Sequence, residues 1–178
     1  EGFIPTPDWK KTTKNERWYI GDTYNTSIGQ GDVGVTPLQL ALATATIASG
    51  GTLWKPRLIL KAVDSNFLTV EDFPPEAARS DVISPDVLAT VRSGMRQAVT
   101  WGTAKELGAL PVQAAAKTGT AETGTYSPPH SLVTVFAPYE KPEVVLAVIV
   151  EKGGESTEAA VPVAREVLGW YFGREPRS

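Results

Sequence analysis

The sequence predicts an α+β domain: helices first, then an antiparallel three-stranded sheet, then a helix covering the sheet. Three observations carry this prediction. A capped, almost chargeless helical run begins at Thr36. Three strand-like runs follow one another between residues 112 and 153. Residues 159–172 then repeat apolar side chains at helical spacing.

The elements are argued in chain order. Residues 1–35 are rich in Pro, Thr, Gly and Trp without a period, which predicts an extended lead-in. Thr36-Pro37-Leu38-Gln39 supplies an N-cap, a proline at the first helical position and a glutamine at the third. The run "LQLALATATIA" that follows is apolar all round, as in a buried helix, and Ser49-Gly50-Gly51 ends it. "TLWKPRLILKAV" (52–63) reads as a strand pair or extended arm, and the polar stretch 64–81 as a surface loop. A second helix opens at Ser84-Pro85-Asp86, with Leu88, Val91, Met95 and Ala98 as its apolar stripe. Thr103-Ala104-Lys105-Glu106 reads as another capping box, for a short helix ending near Gly108.

From residue 112 the period changes. "VQAAAKTGTAE" (112–122), "SLVTVFAPY" (131–139) and "EVVLAVIVEKG" (143–153) are strand-like, divided by turn residues at Gly124, Pro128-Pro129, Pro138 and Lys141-Pro142. Short links favour an antiparallel meander. The final helix places Val161, Ala164, Leu168 and Tyr171 on one face. The expected organisation is one domain segment over 1–178: lead-in 1–35, helical part 36–110, and strands plus closing helix 111–178.

Composition narrows the function. The chain has 178 residues, 42% hydrophobic and 21% charged, with a net charge of −3. No basic run stands out, so nucleic acid is not an expected partner. There is no cysteine, which excludes disulfides and thiolate metal sites, and His130 is the one histidine, so a multi-histidine metal site is impossible. No metal or cofactor is expected. His130 itself reads as structural. The longest apolar run, "VVLAVIV" (144–150), is far shorter than the roughly 20 residues a membrane helix needs. The N-terminus lacks a signal-peptide pattern and does not start with Met, which reads as a piece of a longer protein.

Two glycine-bearing motifs compete. Gly29, Gly31 and Gly34 spell G-x-G-x-x-G, the dinucleotide fingerprint. That fingerprint needs a strand before it and an acid about 20 residues beyond. The preceding "GDTYNTSI" is no clean strand, and the first acid past 47–57 is Asp64. These glycines therefore read as shaping the loop into the capped helix. Lys117-Thr118-Gly119-Thr120 sits inside the first strand of the meander. Lysine brings a cation to an anion such as a carboxylate. Thr118 and Thr120 point to one side of a strand, and Gly119 lets a ligand backbone approach. A strand edge of this kind pairs with an extended peptide and aims an N–H at a developing oxyanion. Taken alone, the four residues also fit an ordinary strand with a glycine. Lys152-Gly153-Gly154 is a decoy that reads as a turn.

K-T-G is the third element of the set S-x-x-K, S-D-N, K-T-G found in penicillin-binding proteins and serine β-lactamases. The chain resembles the C-terminal half of a class B penicillin-binding-protein transpeptidase domain nearly end to end. The resemblance runs through "GFIPTPDW" (2–9), "WYIGDTYNTSIGQG" (18–31), "VTPLQLALATATIASGGTLWKP" (35–56), "AAAKTGTAE" (114–122), "HSLVTVFAPYEKPEVVLAVIVEKG" (130–153) and "AAVPVAREVL" (159–168). The wording of residues 21–31 leans towards the elongation-type, penicillin-binding-protein-2-like branch.

This resemblance implies a partial β-lactamase/transpeptidase-like fold and a serine acyl transfer that cross-links peptidoglycan stem peptides, with β-lactams as mimics. Lys117 would support the charge and proton network around the serine. Thr118, Gly119 and Thr120 would bind the substrate, the two hydroxyls on its carboxylate, and the Thr120 N–H would be an oxyanion donor. No serine here stands in S-x-x-K and no S-x-N occurs; Thr52-Leu53-Trp54-Lys55 has the spacing with threonine in an extended arm. The nucleophile is thus expected on an N-terminal half, which becomes a required partner, and this chain alone is expected to be inactive. The resemblance further implies a membrane glycosyltransferase partner, and an upstream anchor holding the domain on the outer face of the cytoplasmic membrane. Without the other half, the strand at 143–153 should expose an edge and the helix at 37–48 apolar surface. The alternative is a non-catalytic sensor or scaffold of the same fold. Trp101-Gly102-Thr103 reads as a helix end and N-cap, or as the border of the cleft.

Overall fold

The structure is a computed structural model that describes residues 2–123 and 126–173. Gly124, expected at the first turn of the meander, lies outside the described residues.

The expected meander forms. β5 (Ala115–Ala121), β6 (His130–Ala137) and β7 (Val144–Val150) make an antiparallel sheet in the order β5-β6-β7. Lys117 stands opposite Thr134, Thr118 opposite Val133, and Thr120 opposite Ser131. Period-two alternation sends the two sets of side chains to different cores. Ala114, Ala116, Val133 and Val135 join Val161, Ala164 and Leu168 of α5 (Ala160–Phe172) and Leu107 of a 3-10 helix (Lys105–Ala109). Ala115 and Phe136 face the other way, towards Ala48 of α3 (Pro37–Ala48) and Met95 of α4 (Pro85–Thr100). Each fully buried Val, Leu or Phe here contributes about 1.5–3 kcal/mol. Tyr171, expected on the inner face of α5, is exposed. Phe172, four residues past Leu168, takes that place, and the Tyr171 ring meets its edge at 4.9 Å.

α3 starts as its sequence dictates. The Gln39 N–H donates to Thr36 Oγ1 at 3.2 Å, and Gln39 Oε1 accepts from the Thr36 N–H at 3.0 Å. Only Thr44, Thr46 and Ala48 of this helix are buried, while Leu38 is 57% exposed. On α4 the stripe is Leu88, Met95 and Val99, rather than the expected set with Val91 and Ala98. The cause is Arg92, one turn past Leu88. Its guanidinium donates to Ala48 O at 2.7 Å and to Tyr139 O at 2.6 Å, and lies over the Phe136 ring at 4.9 Å. A polar side chain thus fills a position that an apolar period reserves for a hydrophobe.

The arm after α3 differs from the expectation. β1 (Leu53–Trp54) pairs with β4 (Ala77–Arg79), and β2 (Lys61–Val63) with β3 (Thr69–Asp72). The strands within 52–63 do not pair with each other, and the expected surface loop supplies both partners. Asp64 closes the β2–β3 turn by accepting from the Asn66 and Leu68 N–H groups.

The lead-in is not extended throughout. It contains two eight-residue helices, α1 (Pro7–Lys14) and α2 (Ile20–Ser27). Thr6 caps α1 by accepting from the Trp9 N–H, with Pro7 at the first helical position. Asp22 reaches back to the Tyr19 N–H at 2.7 Å. Helices this short show no period, and their stability comes from tertiary contact. That contact is the nearly buried Lys10, which gives both oxygens of Asp22 hydrogen bonds of 2.8 Å.

The hydrogen bonds from Lys10, then the Tyr19 N–H, hold the Asp22 carboxyl below its ordinary value of 3.8, and the bond to Asp22 holds the Lys10 ammonium above 10.5. A lowered carboxyl contributes stability that is lost as pH falls through its folded value. A raised ammonium contributes stability that is lost as pH rises through its own. The α1–α2 pairing is therefore expected to hold between those limits and to loosen beyond either. A carbon-13 titration of the Asp22 carboxyl should give a midpoint below 3.8 that Lys10→Met moves back up; an unshifted midpoint in the parent chain would contradict the pairing.

Candidate functional site

The outer edge of β5 carries Lys117, Thr118, Gly119 and Thr120, and among the described residues no strand pairs with it. The structure brings all four together in one open cleft of about 300 Å³. Its other walls are Ile28 at the end of α2, Thr103 before the 3-10 helix, and Glu155-Ser156-Thr157 after β7.

Lys117 is exposed, and its ammonium donates to the Thr118 carbonyl. Thr118 Oγ1 lies 2.7 Å from Thr103 Oγ1. The expected capping box at Thr103 therefore does not form: Ala104 is the N-cap of the 3-10 helix, without a side-chain cap bond, and Thr103 borders the cleft. Glu106, expected to close the box, pairs with Arg165 at 3.2 Å instead. Thr120 Oγ1 lies 3.3 Å from Ser156 Oγ, on the same side of the strand as Thr118. Two threonines with a free strand edge between them, beside one ammonium, suit a ligand that presents a carboxylate and an extended backbone.

Gly119 has no positive φ, and a Cβ built on it would meet only Leu132 Cβ, at an ordinary 3.7 Å. The fold itself tolerates a side chain there, so glycine answers to what approaches from outside. Gly119→Ala is expected to change stability by less than about 1 kcal/mol. A thermal melt of the two proteins side by side checks this.

Two residues that hold the backbone of the motif strand were not legible as such. Gln30 Nε2 donates to the Thr120 carbonyl at 2.8 Å across 90 positions of sequence. Gly29 and Gly31 on either side have φ of +75° and +73°, so the G-x-G part of the apparent nucleotide motif turns the chain to present that amide. A glutamine between two glycines was the available signal. Ser156 donates to the Gly119 carbonyl at 2.5 Å, and no local pattern marks it. His130 begins β6, and its Nδ1 accepts from the Lys152 N–H at 3.0 Å, which closes the turn after β7. Lys152, the decoy lysine, has φ +54° within that turn.

The family described as "Penicillin binding protein transpeptidase domain" matches residues 4–169. The chain is 33% identical over 180 residues to the peptidoglycan D,D-transpeptidase MrdA of Acinetobacter baumannii, across 92% of this chain and 27% of that protein. It superposes on Pseudomonas aeruginosa PBP2 in complex with WCK 5153 with a TM-score of 0.81 at 32% identity, over 98% of this chain and 39% of that one. For penicillin-binding protein A from M. tuberculosis, as its ceftriaxone acyl-enzyme complex, the TM-score is 0.75 at 37% identity, over 82% of this chain and 34% of that one. The chain thus spans about a third of the length of the proteins it matches.

Proposed function

Since this chain belongs to the penicillin-binding-protein transpeptidase domain family, in its class B, PBP2-like branch, we propose that it is the C-terminal part of a peptidoglycan D,D-transpeptidase that also reacts with β-lactams. The observation that carries this reading is the open outer edge of β5, with Lys117, Thr118 and Thr120 converging on one cleft. In the proposed reaction a serine of the N-terminal half attacks the carbonyl of a terminal D-Ala-D-Ala bond. The C–N bond breaks and an acyl-enzyme remains; an amine of a second stem peptide then takes the acyl group.

Each residue here has a part in that step. The Lys117 ammonium faces the negative charge of the substrate carboxylate and of the reacting centre. Thr118 and Thr120 donate to the carboxylate, with Thr103 holding Thr118 in orientation. The Thr120 N–H donates to the oxyanion, and loss of one such donor costs about 3–4 kcal/mol in a serine protease. Gly119 leaves room for the substrate backbone. The exposed Leu38 on α3 and the outer edge of β7, with which no described strand pairs, are surfaces for the N-terminal half. This reading puts the whole protein on the outer face of the cytoplasmic membrane through an anchor outside this chain, with a membrane glycosyltransferase as partner; no described helix is long and apolar enough to cross a membrane.

The test is labelling with a fluorescent penicillin followed by denaturing electrophoresis, on this chain alone and with the N-terminal half added. Label on the added half, and only when both are present, is the expected result. Label on this chain itself, abolished by Thr120→Val, would mean that the nucleophile lies here. No label with both halves present would favour a sensor module.

A further inference from the structure

The carbonyl of Gly119 and the N–H of Thr120 belong to one peptide group. Ser156, 4% exposed, donates its hydroxyl to that carbonyl at 2.5 Å. Its oxygen is 3.3 Å from Thr120 Oγ1. The hydroxyl of Ser156 is committed to the carbonyl, so the Thr120 hydroxyl is the donor in this second bond, and it turns that proton away from Ser156 when it donates to a ligand carboxylate. The two bonds close a ring around the Gly119–Thr120 peptide. The next carbonyl along, that of Thr120, is held by Gln30. Both peptide groups flanking the Thr120 side chain are therefore fixed by residues remote in sequence.

Ser156 is itself held from several sides. Its carbonyl accepts from the Val161 N–H at 2.9 Å, in the first turn of α5. The buried Ser131 Oγ donates to Glu155 O at 3.4 Å and accepts from the Ala160 N–H at 3.0 Å. Gly154 N–H donates to Pro129 O at 3.1 Å. The donor on Gly119 is thus part of the framework joining β5, β6 and α5.

A hydrogen bond accepted by an amide carbonyl draws electron density towards oxygen, and the N–H of the same group becomes a stronger donor. A donor fixed before reaction also needs no reorganisation when the oxyanion appears. We propose that Ser156 is a positioning residue for the Thr120 backbone N–H: it polarises the Gly119–Thr120 peptide and sets its plane, so that this N–H binds the developing oxyanion more strongly. The proposal rests on the reading of that N–H as an oxyanion donor given above.

The test uses the full-length protein that contains this segment. Wild type, Ser156→Ala and Ser156→Thr are each reacted with a fluorescent penicillin to separate the pre-acylation dissociation constant from the acylation rate constant. The infrared carbonyl stretch of the acyl ester is recorded on the same samples. Ser156→Ala is expected to lower the acylation rate constant about 10-fold, to leave the dissociation constant within about twofold, and to move the ester band to higher frequency. Ser156→Thr, which keeps the hydroxyl, should restore both. An unmoved band with unchanged acylation overturns the proposal. So does a slower acylation with an unmoved band, because that is the pattern of a residue that only supports the fold. If Ser156→Ala fails to fold, Ser156→Cys, similar in size and a weak donor, should show the same band shift. A wild type that penicillin does not acylate at all sinks the transpeptidase reading itself. A normal wild type beside an indistinguishable Ser156→Ala sinks only the role of Ser156.

Discussion

Lys117→Ala is expected to slow acylation of the assembled protein by about two to three orders of magnitude with its melting temperature unchanged. The two halves of that expectation come from different observations. Lys117 is exposed on the edge of β5, and its ammonium donates to the neighbouring Thr118 carbonyl, so the core loses nothing when it goes. In the cleft, however, it is the one cation among the lining residues, beside the hydroxyls of Thr103, Thr118 and Thr120, while Glu155 is an acid among them. Without it, a ligand carboxylate meets neutral donors and one acid. Lys117→Arg keeps the charge but spreads it over a planar fork, and should recover only part of the rate. A Lys117→Ala protein that is labelled at the wild-type rate would remove Lys117 from the proposed chemistry. A rate loss matched by a fall in melting temperature would make it a structural residue.

Arg92→Ala is expected to cost about 3 kcal/mol of stability without touching the cleft. Its guanidinium ties the C-terminal carbonyls of α3 to the Tyr139 carbonyl beyond β6, while stacking on Phe136 and lying 5.3 Å from the Tyr139 ring centre. It is half-buried, so the carbonyls it leaves behind regain water only in part. A cation at the last turn of α3 also opposes the negative end of that helix. Arg92→Lys keeps that charge but cannot bridge two carbonyls and stack on two rings at once, and should recover less than half of the loss. A thermal melt reads the result: a drop of about 6–12 °C for Arg92→Ala is expected for a chain of this size. A drop of less than about 2 °C would show that α3, α4 and the sheet are held together by apolar contact alone.

How much of this was written locally in the chain varies from one element to the next. The cap of α3 was legible because Thr36, Pro37 and Gln39 act within one turn. The meander was legible because a period of two persists through β5, β6 and β7 and the turns between them are short. α1 and α2 were not, since each is only eight residues long and is held by Lys10 and Asp22 across the pair. The arm misled because β1 pairs with β4 over a distance that no periodicity records. At the site, K-T-G-T stood out as residue types with a shared chemistry on one strand. Gln30 and Ser156 did not, because their contribution is a single hydrogen bond to a backbone carbonyl far away in sequence. Thr103 misled in the same way: its local pattern spelled a helix cap, and a hydroxyl on the neighbouring strand claimed it.

Among the described residues no strand pairs with the outer side of β7, and this also bears on how the chain behaves in a test tube. Val144–Val150 is seven apolar residues without a charge or a proline, with one row of main-chain groups open to any passing strand. Segments of that kind stack into cross-β fibrils, with Lys141, Pro142 and Glu143 before it and Glu151 and Lys152 after it as gatekeepers. Expressed on its own, this polypeptide should enter inclusion bodies in a concentration-dependent way. Co-production with a segment that pairs there should keep it in solution. Thioflavin fluorescence against protein concentration would follow that hazard directly, and the same edge that invites fibrils is what would let two separately made halves find each other.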